Sequence, residues 1–205
     1  MSELHIRNLG IQDYTSVFNK MREFTQQRTV STNDEFWSLQ HPAVFTLGAN
    51  TDHQHILSRT NIPIVQSDRG GQVTYHAPGQ IIVYLLIDLK RKKIGIKKLV
   101  EHIEQALVNL LAGYDIDAKA RSDAHGVYVN DAKIASLGLR VHSGCSYHGL
   151  ALNVDMDLAP FSMINPCGMP GLKVTQLKDF GVTNELQTIT VDLIKKLCAQ
   201  LAFEY

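Results

Sequence analysis

The seven residues Ile81-Ile82-Val83-Tyr84-Leu85-Leu86-Ile87 form the longest unbroken apolar run in the chain, and the run stops at Asp88. A transmembrane helix needs roughly 20 such residues, so this run is far too short to cross a bilayer and has the length of a buried strand. A buried strand requires a core around it. At 205 residues, 44% hydrophobic and 20% charged, the chain can build one substantial core or two small ones, which excludes disordered and collagen-like classes.

Around this strand the hydrophobic period changes twice. Tyr14, Val17, Phe18 and Met21 recur at i, i+3, i+4 and i+7, which predicts an amphipathic helix starting near Gln12. Leu99, Ile103, Leu107, Leu110 and Leu111 repeat the pattern, and Gly113 stands where a left-handed C-terminal residue is expected. A third helix is expected after Thr190, with Ile194, Leu197, Cys198 and Leu201 inward. Ala43 to Leu47, Ile62 to Val65, Gln80 to Leu89, Gly126 to Val129, Lys133 to Val141 and His148 to Val154 are short and rich in Val, Ile and Tyr, and read as strands. Asn130-Asp131 between two of them is a two-residue hairpin turn, so part of the sheet is antiparallel. Strands grouped mid-chain, with helices before, between and after, predict an α+β layer. No repeat or low-complexity linker divides residues 1–205, which read as a single domain.

Lysine plus arginine and aspartate plus glutamate both count 20, so no global field draws nucleic acid or anionic lipid, and neither nucleic acid nor membrane is an expected partner. The one concentrated positive stretch is Lys90-Arg91-Lys92-Lys93 with Lys97 and Lys98. It is a solvated loop or a docking patch for an acidic partner. Three cysteines, Cys145, Cys167 and Cys198, and an amino terminus (Met1 to His5) without the basic and apolar regions of a signal peptide lead to the expectation of a cytoplasmic protein without a disulfide framework.

Four segments carry groups capable of chemistry. Ser67 to Gln80 surrounds Arg69, Tyr75 and His76 with glycine and proline, giving either an ordinary turn or a loop whose backbone lies open to a ligand; it lacks the Gly-Lys-Ser/Thr ending of a phosphate loop. Cys167, between Pro166 and Gly168, sits in a turn with few neighbours to bury a thiol, and Lys133, His76 and His148 are candidates to favour its thiolate. Lys133 opens a strand, where lysine is usually solvated; held inside the protein, its amine would serve as a proton shuttle. His142, Cys145 and His148 have a spacing that offers three zinc ligands, but structural zinc takes four and no second cluster is near, so no metal site is expected.

Taken together, Arg69-Gly70-Gly71-Gln72-Val73-Thr74-Tyr75-His76, Lys133-Ile134-Ala135-Ser136-Leu137-Gly138, His148-Gly149-Leu150-Ala151-Leu152-Asn153-Val154 and Asn165-Pro166-Cys167-Gly168 resemble, in order and spacing, the octanoyltransferases of protein lipoylation. His41-Pro42 followed by Thr46-Leu47-Gly48 extends the likeness to about residues 10–180. The resemblance implies the biotin and lipoate protein ligase fold, a mixed sheet flanked by helices. It implies transfer of an octanoyl or lipoyl group from octanoyl-acyl carrier protein to a lysine of the lipoyl domains of 2-oxoacid dehydrogenases and of the glycine cleavage H protein, the first step of endogenous lipoylation. The acyl group would pass through a thioester on Cys167, with Lys133 as its activating partner and no cofactor. Substrate contacts would come from Arg69 through His76, from Ser136, Leu137 and Gly138, and from Gly149, Leu150 and Ala151. Ala77 departs from the family pattern, which has glycine there; its methyl is expected to narrow the acyl pocket or block a positive φ.

Three other functions are compatible with the sequence: an ATP-dependent lipoate or biotin ligase, a thiol hydrolase pairing Cys167 with His76 or His148, and a non-catalytic adaptor docking through Lys90 to Lys98. ATP dependence, release of free octanoate, and absence of any covalent acyl protein distinguish them in turn.

Overall fold

The computed structural model describes residues 3–51, 53–121 and 123–205; the first two residues of the amino-terminal segment considered above lie outside them. In chain order the elements are β1 (Leu4–Ile11), α1 (Tyr14–Gln26), β2 (Asp34–Gln40), β3 (Val44–Leu47), β4 (Ile64–Gln66), β5 (Thr74–His76), β6 (Gln80–Leu86), α2 (Leu89–Lys92), α3 (Ile96–Ala112), β7 (Lys119–Ala120), β8 (Val127–Val129), β9 (Ala132–His142), β10 (Cys145–Asn153) and α4 (Leu186–Leu201). Seven strands form one mixed sheet in the order β1-β2-β6-β10-β9-β8-β7, with β1 and β2 parallel and the other pairs antiparallel. A second sheet of order β4-β3-β5 sits apart from it.

The apolar run is β6, third in the large sheet, and it has no polar face because both of its faces are covered. Ile81, Val83, Leu85 and Ile87 join the core under α3 and α4. The alternate residues Ile82, Tyr84 and Leu86 join the core under α1, against Tyr14, Val17, Phe18 and Met21. This is the period-two alternation of a strand packed on both sides. A third, smaller core gathers Phe45, Leu47, Tyr75, Ala77, Met156 and Phe161 at the second sheet.

The mixed sheet flanked by helices matches the expected α+β class, while several boundaries differ. α1 starts at Tyr14 because the Asp13 carboxylate accepts the Ser16 N–H at 2.8 Å, a helix cap. Gly113 is right-handed (φ −68°), and the left-handed residue comes two positions later at Asp115 (φ 60°), after the chain has made a further turn. α4 begins at Leu186, not after Thr190, whose hydroxyl donates to Leu186 O at 2.8 Å from inside the helix. β6 ends at Leu86, since Asp88 caps α2 through the Arg91 N–H at 3.0 Å. Asn130 and Asp131 have φ 48° and 65°, the mirror-image turn expected of the hairpin. β9 and β10 are longer than expected and meet at Ser143-Gly144, so the segment considered for zinc is a hairpin turn running into a strand.

β1, β2, β5 and β7 are additional. β2 is buried although it starts Asp34-Glu35: Arg28 and Arg91 each place a guanidinium nitrogen 2.6 Å from Asp34 Oδ1, and Trp37 donates to Glu35. Among the described residues, no helix is long and apolar enough to cross a membrane.

Candidate active site

Cys167 lies in the 3₁₀ turn Pro166–Gly168 with φ 56° and ψ 19°. Its N–H donates to Val73 O at 3.1 Å and the Gly168 N–H donates to Asn165 O at 2.9 Å. The chain beyond this turn runs beside the start of β9, where the Lys133 N–H donates to Lys173 O at 2.8 Å and the Thr175 N–H to Lys133 O at 3.0 Å. That pairing brings together two residues 34 positions apart: Lys133 Nζ donates to Cys167 Sγ at 3.0 Å. Lys133 is 2% exposed, lies 5.3 Å from the centroid of the Tyr128 ring, and among the described residues has no carboxylate within ion-pair distance.

Two cavities meet at this pair. One, with a largely apolar lining, is bordered by Tyr14, Arg69, residues 71–74, His76, Ile82, Tyr84, residues 136–138, residues 148–151 and Cys167. The other shares Gly71, Leu137, Gly138 and Cys167, adds Gly70 and Lys133, and is walled by Ile96 and Val100 of α3 and by Asp123 and His125. Of the residues expected to contact substrate, Arg69, Gly71, Gln72, Val73, Thr74, His76, Ser136, Leu137, Gly138, Gly149, Leu150 and Ala151 border the first cavity, and Gly70 borders the second. Tyr75 borders neither. β5 alternates, so Thr74 and His76 face the cavity while Tyr75 turns into the third core, its ring 5.3 Å from Phe45 and 5.5 Å from Phe161. Ala77 also belongs to that core and its φ is not positive, so its methyl neither narrows the cavity nor strains the backbone.

β10 reaches the cavity through a break in its alternation. His148 has φ 59°, a left-handed value that costs strain in a non-glycine residue. It places the Tyr147 and His148 rings on the same side, stacked at 5.0 Å. Both then bond one carboxylate: Tyr147 OH donates to Asp68 Oδ2 at 2.6 Å and His148 Nε2 lies 2.9 Å from Asp68 Oδ1. Next to it, a Cβ on Gly149 would come 2.0 Å from Val83 O, so only glycine lets β10 approach β6 at that point.

The electrostatics separate the ionisable groups by role. Burial, with the neighbouring His41 adding to it, pushes His76 down to about 3, so its imidazole is neutral; its Nδ1 is 2.8 Å from Gln80 Oε1. Burial also lowers His148. Burial pushes Asp68 up, but the His148 and Tyr147 hydrogen bonds outweigh it and hold the carboxyl below its ordinary value, while burial and that same bond push Tyr147 up to about 12. Arg69, lowered by burial, donates to Thr46 O at 2.7 Å and to Gly70 O at 3.0 Å. With no carboxylate partner among the described residues, it supplies positive potential to the cavity. Burial raises the thiols of Cys145 and of Cys198, the latter to about 11, which keeps both protonated. Neither His76 nor His148 bonds Cys167, whose partner is Lys133. Among the described residues, no three His, Cys, Asp or Glu side chains are grouped as metal ligands; His142 is exposed, and His148 is engaged by Asp68.

A family model described as the lipoyl protein ligase A/B catalytic domain matches residues 13–202. An octanoyltransferase of Shewanella sp. (strain W3-18-1) is 60% identical over 178 residues, which span 87% of this chain and 82% of that one. An octanoyltransferase of Shewanella piezotolerans is 50% identical over 200 residues, 98% of this chain and 91% of that one. The chain belongs to the octanoyltransferase family. It is an acyltransferase, and octanoyl transfer for lipoylation is the activity that this kinship supports. Octanoyltransferases share their fold with ligases: the crystal structure of a lipoate-protein ligase A bound with ATP superposes with a TM-score of 0.81 at 15% identity, covering 100% of this chain and 87% of that one. At that identity the likeness concerns the fold alone.

Sequence reasoning missed Tyr14, Ile82, Tyr84 and Asp68. Tyr14, Ile82 and Tyr84 sit in apolar stripes and read as core; only the meeting of α1 with β6 makes them cavity walls. Asp68 lies in the segment singled out, but its partners Tyr147 and His148 are 79 and 80 residues away.

Proposed function

We propose that this chain moves an octanoyl group from octanoyl-acyl carrier protein to a lysine of lipoyl domains, those of 2-oxoacid dehydrogenases and of the glycine cleavage H protein, through a thioester on Cys167. The observation that carries the reading is the 3.0 Å contact between Lys133 Nζ and Cys167 Sγ where a largely apolar cavity meets an open one. At that distance the amine can pass a proton to or take one from the groups that react at the sulfur.

In the first half-reaction the Cys167 thiolate attacks the donor thioester carbonyl, the carbon–sulfur bond to the carrier's prosthetic thiol breaks, and Lys133 protonates that departing sulfur. The acyl chain occupies the first, largely apolar cavity. In the second, the acceptor amine, having released one proton to solvent, attacks the acyl-enzyme; Lys133 takes its second proton and Cys167 departs as thiolate. An amide has formed and the ammonium–thiolate pair is restored. The N–H groups of Cys167 and Gly168 are already donated to Val73 O and Asn165 O, so the oxyanion is held from the Gly71 side of the cavity and by the field of Arg69. The donor is already activated, and the reading calls for no cofactor.

Both partners approach Cys167 through the second cavity. Its wall residues Ile96 and Val100 lie on α3, which with the turn before it carries exposed Lys93, Lys97 and Lys98. That basic rim suits an acidic carrier protein. The three free cysteines accord with a cytoplasmic setting.

The test is intact mass after mixing with octanoyl-acyl carrier protein, without ATP. One octanoyl group should appear on wild type and none on Cys167→Ser, and it should pass to an added lipoyl domain. Acylation at Cys145 or Cys198, or dependence on ATP, would overturn the proposal; free octanoate without an acceptor would favour a hydrolase.

A further inference from the structure

The inner stripe of α3 is apolar except for Glu104, which is 6% exposed among Ile103, Ala106 and Leu107. A buried carboxylate is costly unless hydrogen bonded. Its Oε1 accepts the Gly126 N–H at 2.9 Å and lies 3.4 Å from His125 Nδ1; among the described residues no lysine or arginine pairs with it. Glu104 therefore ties the middle of α3 to the residue that leads into β8. The same loop is held from its other side by Tyr128 OH, which donates to Ala124 O at 2.8 Å.

Gly126 is the wall along which the Lys133 side chain lies. Its φ is 136°, and a Cβ there would come 2.4 Å from Lys133 Cε, 3.1 Å from Lys133 Nζ and 2.6 Å from Ala135 O. The Lys133 stem has four rotatable bonds, and its amine is steered by the Cys167 sulfur, the Tyr128 ring and this stretch of backbone. A displacement of Gly126 by an ångström changes where the amine can rest. Glu104 also lies four and eight residues beyond Val100 and Ile96, so one stripe of α3 forms the wall of the open cavity and then anchors Gly126.

We propose that Glu104 is a positioning residue which, through the Gly126 N–H, sets the Lys133 amine on Cys167. It touches neither substrate nor thiol, and the inference rests on the Lys133–Cys167 pair proposed above. Glu104→Ala should move the iodoacetamide alkylation profile of Cys167 to higher pH and slow both half-reactions at least tenfold. Glu104→Gln, whose amide oxygen can still accept the Gly126 N–H, should stay within about threefold of wild type. The control for mere loss of structure is the Lys133→Ala background: there, adding Glu104→Ala should leave the alkylation profile where Lys133→Ala alone puts it. Where Glu104→Ala does not fold, Glu104→Asp, which keeps the charge and withdraws the oxygen by one methylene, is read the same way. An unmoved profile in the folded variant, or an equal displacement with and without Lys133, overturns the proposal. If Lys133→Ala itself leaves the profile unmoved, the pair reading fails; if Lys133→Ala moves it and Glu104→Ala does not, only the role of Glu104 fails.

Discussion

Lys133→Met separates the chemistry from the fold. Methionine keeps an unbranched, flexible stem of similar length in the 2% exposed slot that Lys133 fills and deletes only the amine. With the amine gone, a neutral thiol at Cys167 leaves no unpaired charge buried, so the protein should still fold. The rate should not survive. A positioned acid–base group contributes about 10²–10⁴ in rate, or about 2.7–5.4 kcal/mol. Single-turnover rates for acylation of Cys167 and for transfer to a lipoyl domain should therefore each fall about 10²–10⁴-fold, read as intact mass against time. Lys133→Arg keeps the charge but cannot release a proton, so acylation should suffer less than onward transfer. A folded Lys133→Met protein working within tenfold of wild type in both steps would refute the assignment.

Asp68→Asn should weaken the strained turn at His148, because the carboxylate that holds both rings is lost. The Asp68 carboxyl is held below its ordinary value in the fold. Its contribution is therefore present above the unfolded value of about 4 and lost as pH falls through the folded one; the urea-stability gap between wild type and Asp68→Asn should close below about pH 4. Ala77→Gly should lower stability by about 0.5–1 kcal/mol in denaturant titration without changing acyl chain-length preference, since the methyl packs in the third core; a shifted chain-length profile would contradict that placement. Lys92 Nζ donates to Leu201 O and Ala202 O at 3.0 and 3.1 Å and stands 3.3 Å over the Phe203 ring. Lys92→Ala should thus cost about 1–3 kcal/mol of stability, while Lys93→Ala with Lys97→Ala should spare the fold and raise the apparent Michaelis constant for octanoyl-acyl carrier protein at low salt only. A defect that added salt does not relieve would end the docking idea.

Elements whose pattern is local were legible in the sequence. β6 showed itself by length, α1 and α3 by their 3.6-residue stripes, and the β8–β9 turn by Asn130-Asp131. β2 was illegible because the partners that bury Asp34 are Arg28 and Arg91, the second 57 residues on. The start of α4 is illegible because a threonine can cap a helix or, as Thr190 does, bond backward inside one. Arg91 and Lys92 read as free positive charge in the sequence because their partners, Asp34 on β2 and the carbonyls at the end of α4, are distant along the chain. At the site, the motifs marked which segments converge, and strand alternation then decided membership, excluding Tyr75 from a run whose neighbours Thr74 and His76 face the cavity. The left-handed His148 left no trace in the sequence, since nothing in its neighbours forces a positive φ within a strand.

The two cavities that meet at Cys167 have a kinetic consequence. On the reading proposed above, a single thiol carries the acyl group, and both macromolecules must reach that sulfur, which borders both cavities. Under that reading, carrier protein and lipoyl domain take turns, the emptied carrier leaving before the acceptor enters. Initial rates against one partner at several fixed levels of the other should give parallel double-reciprocal lines, and unacylated carrier should compete with the lipoyl domain for the same doorway. Flux through an enzyme working in this way would track the ratio of charged to spent carrier, because both compete for one sulfur.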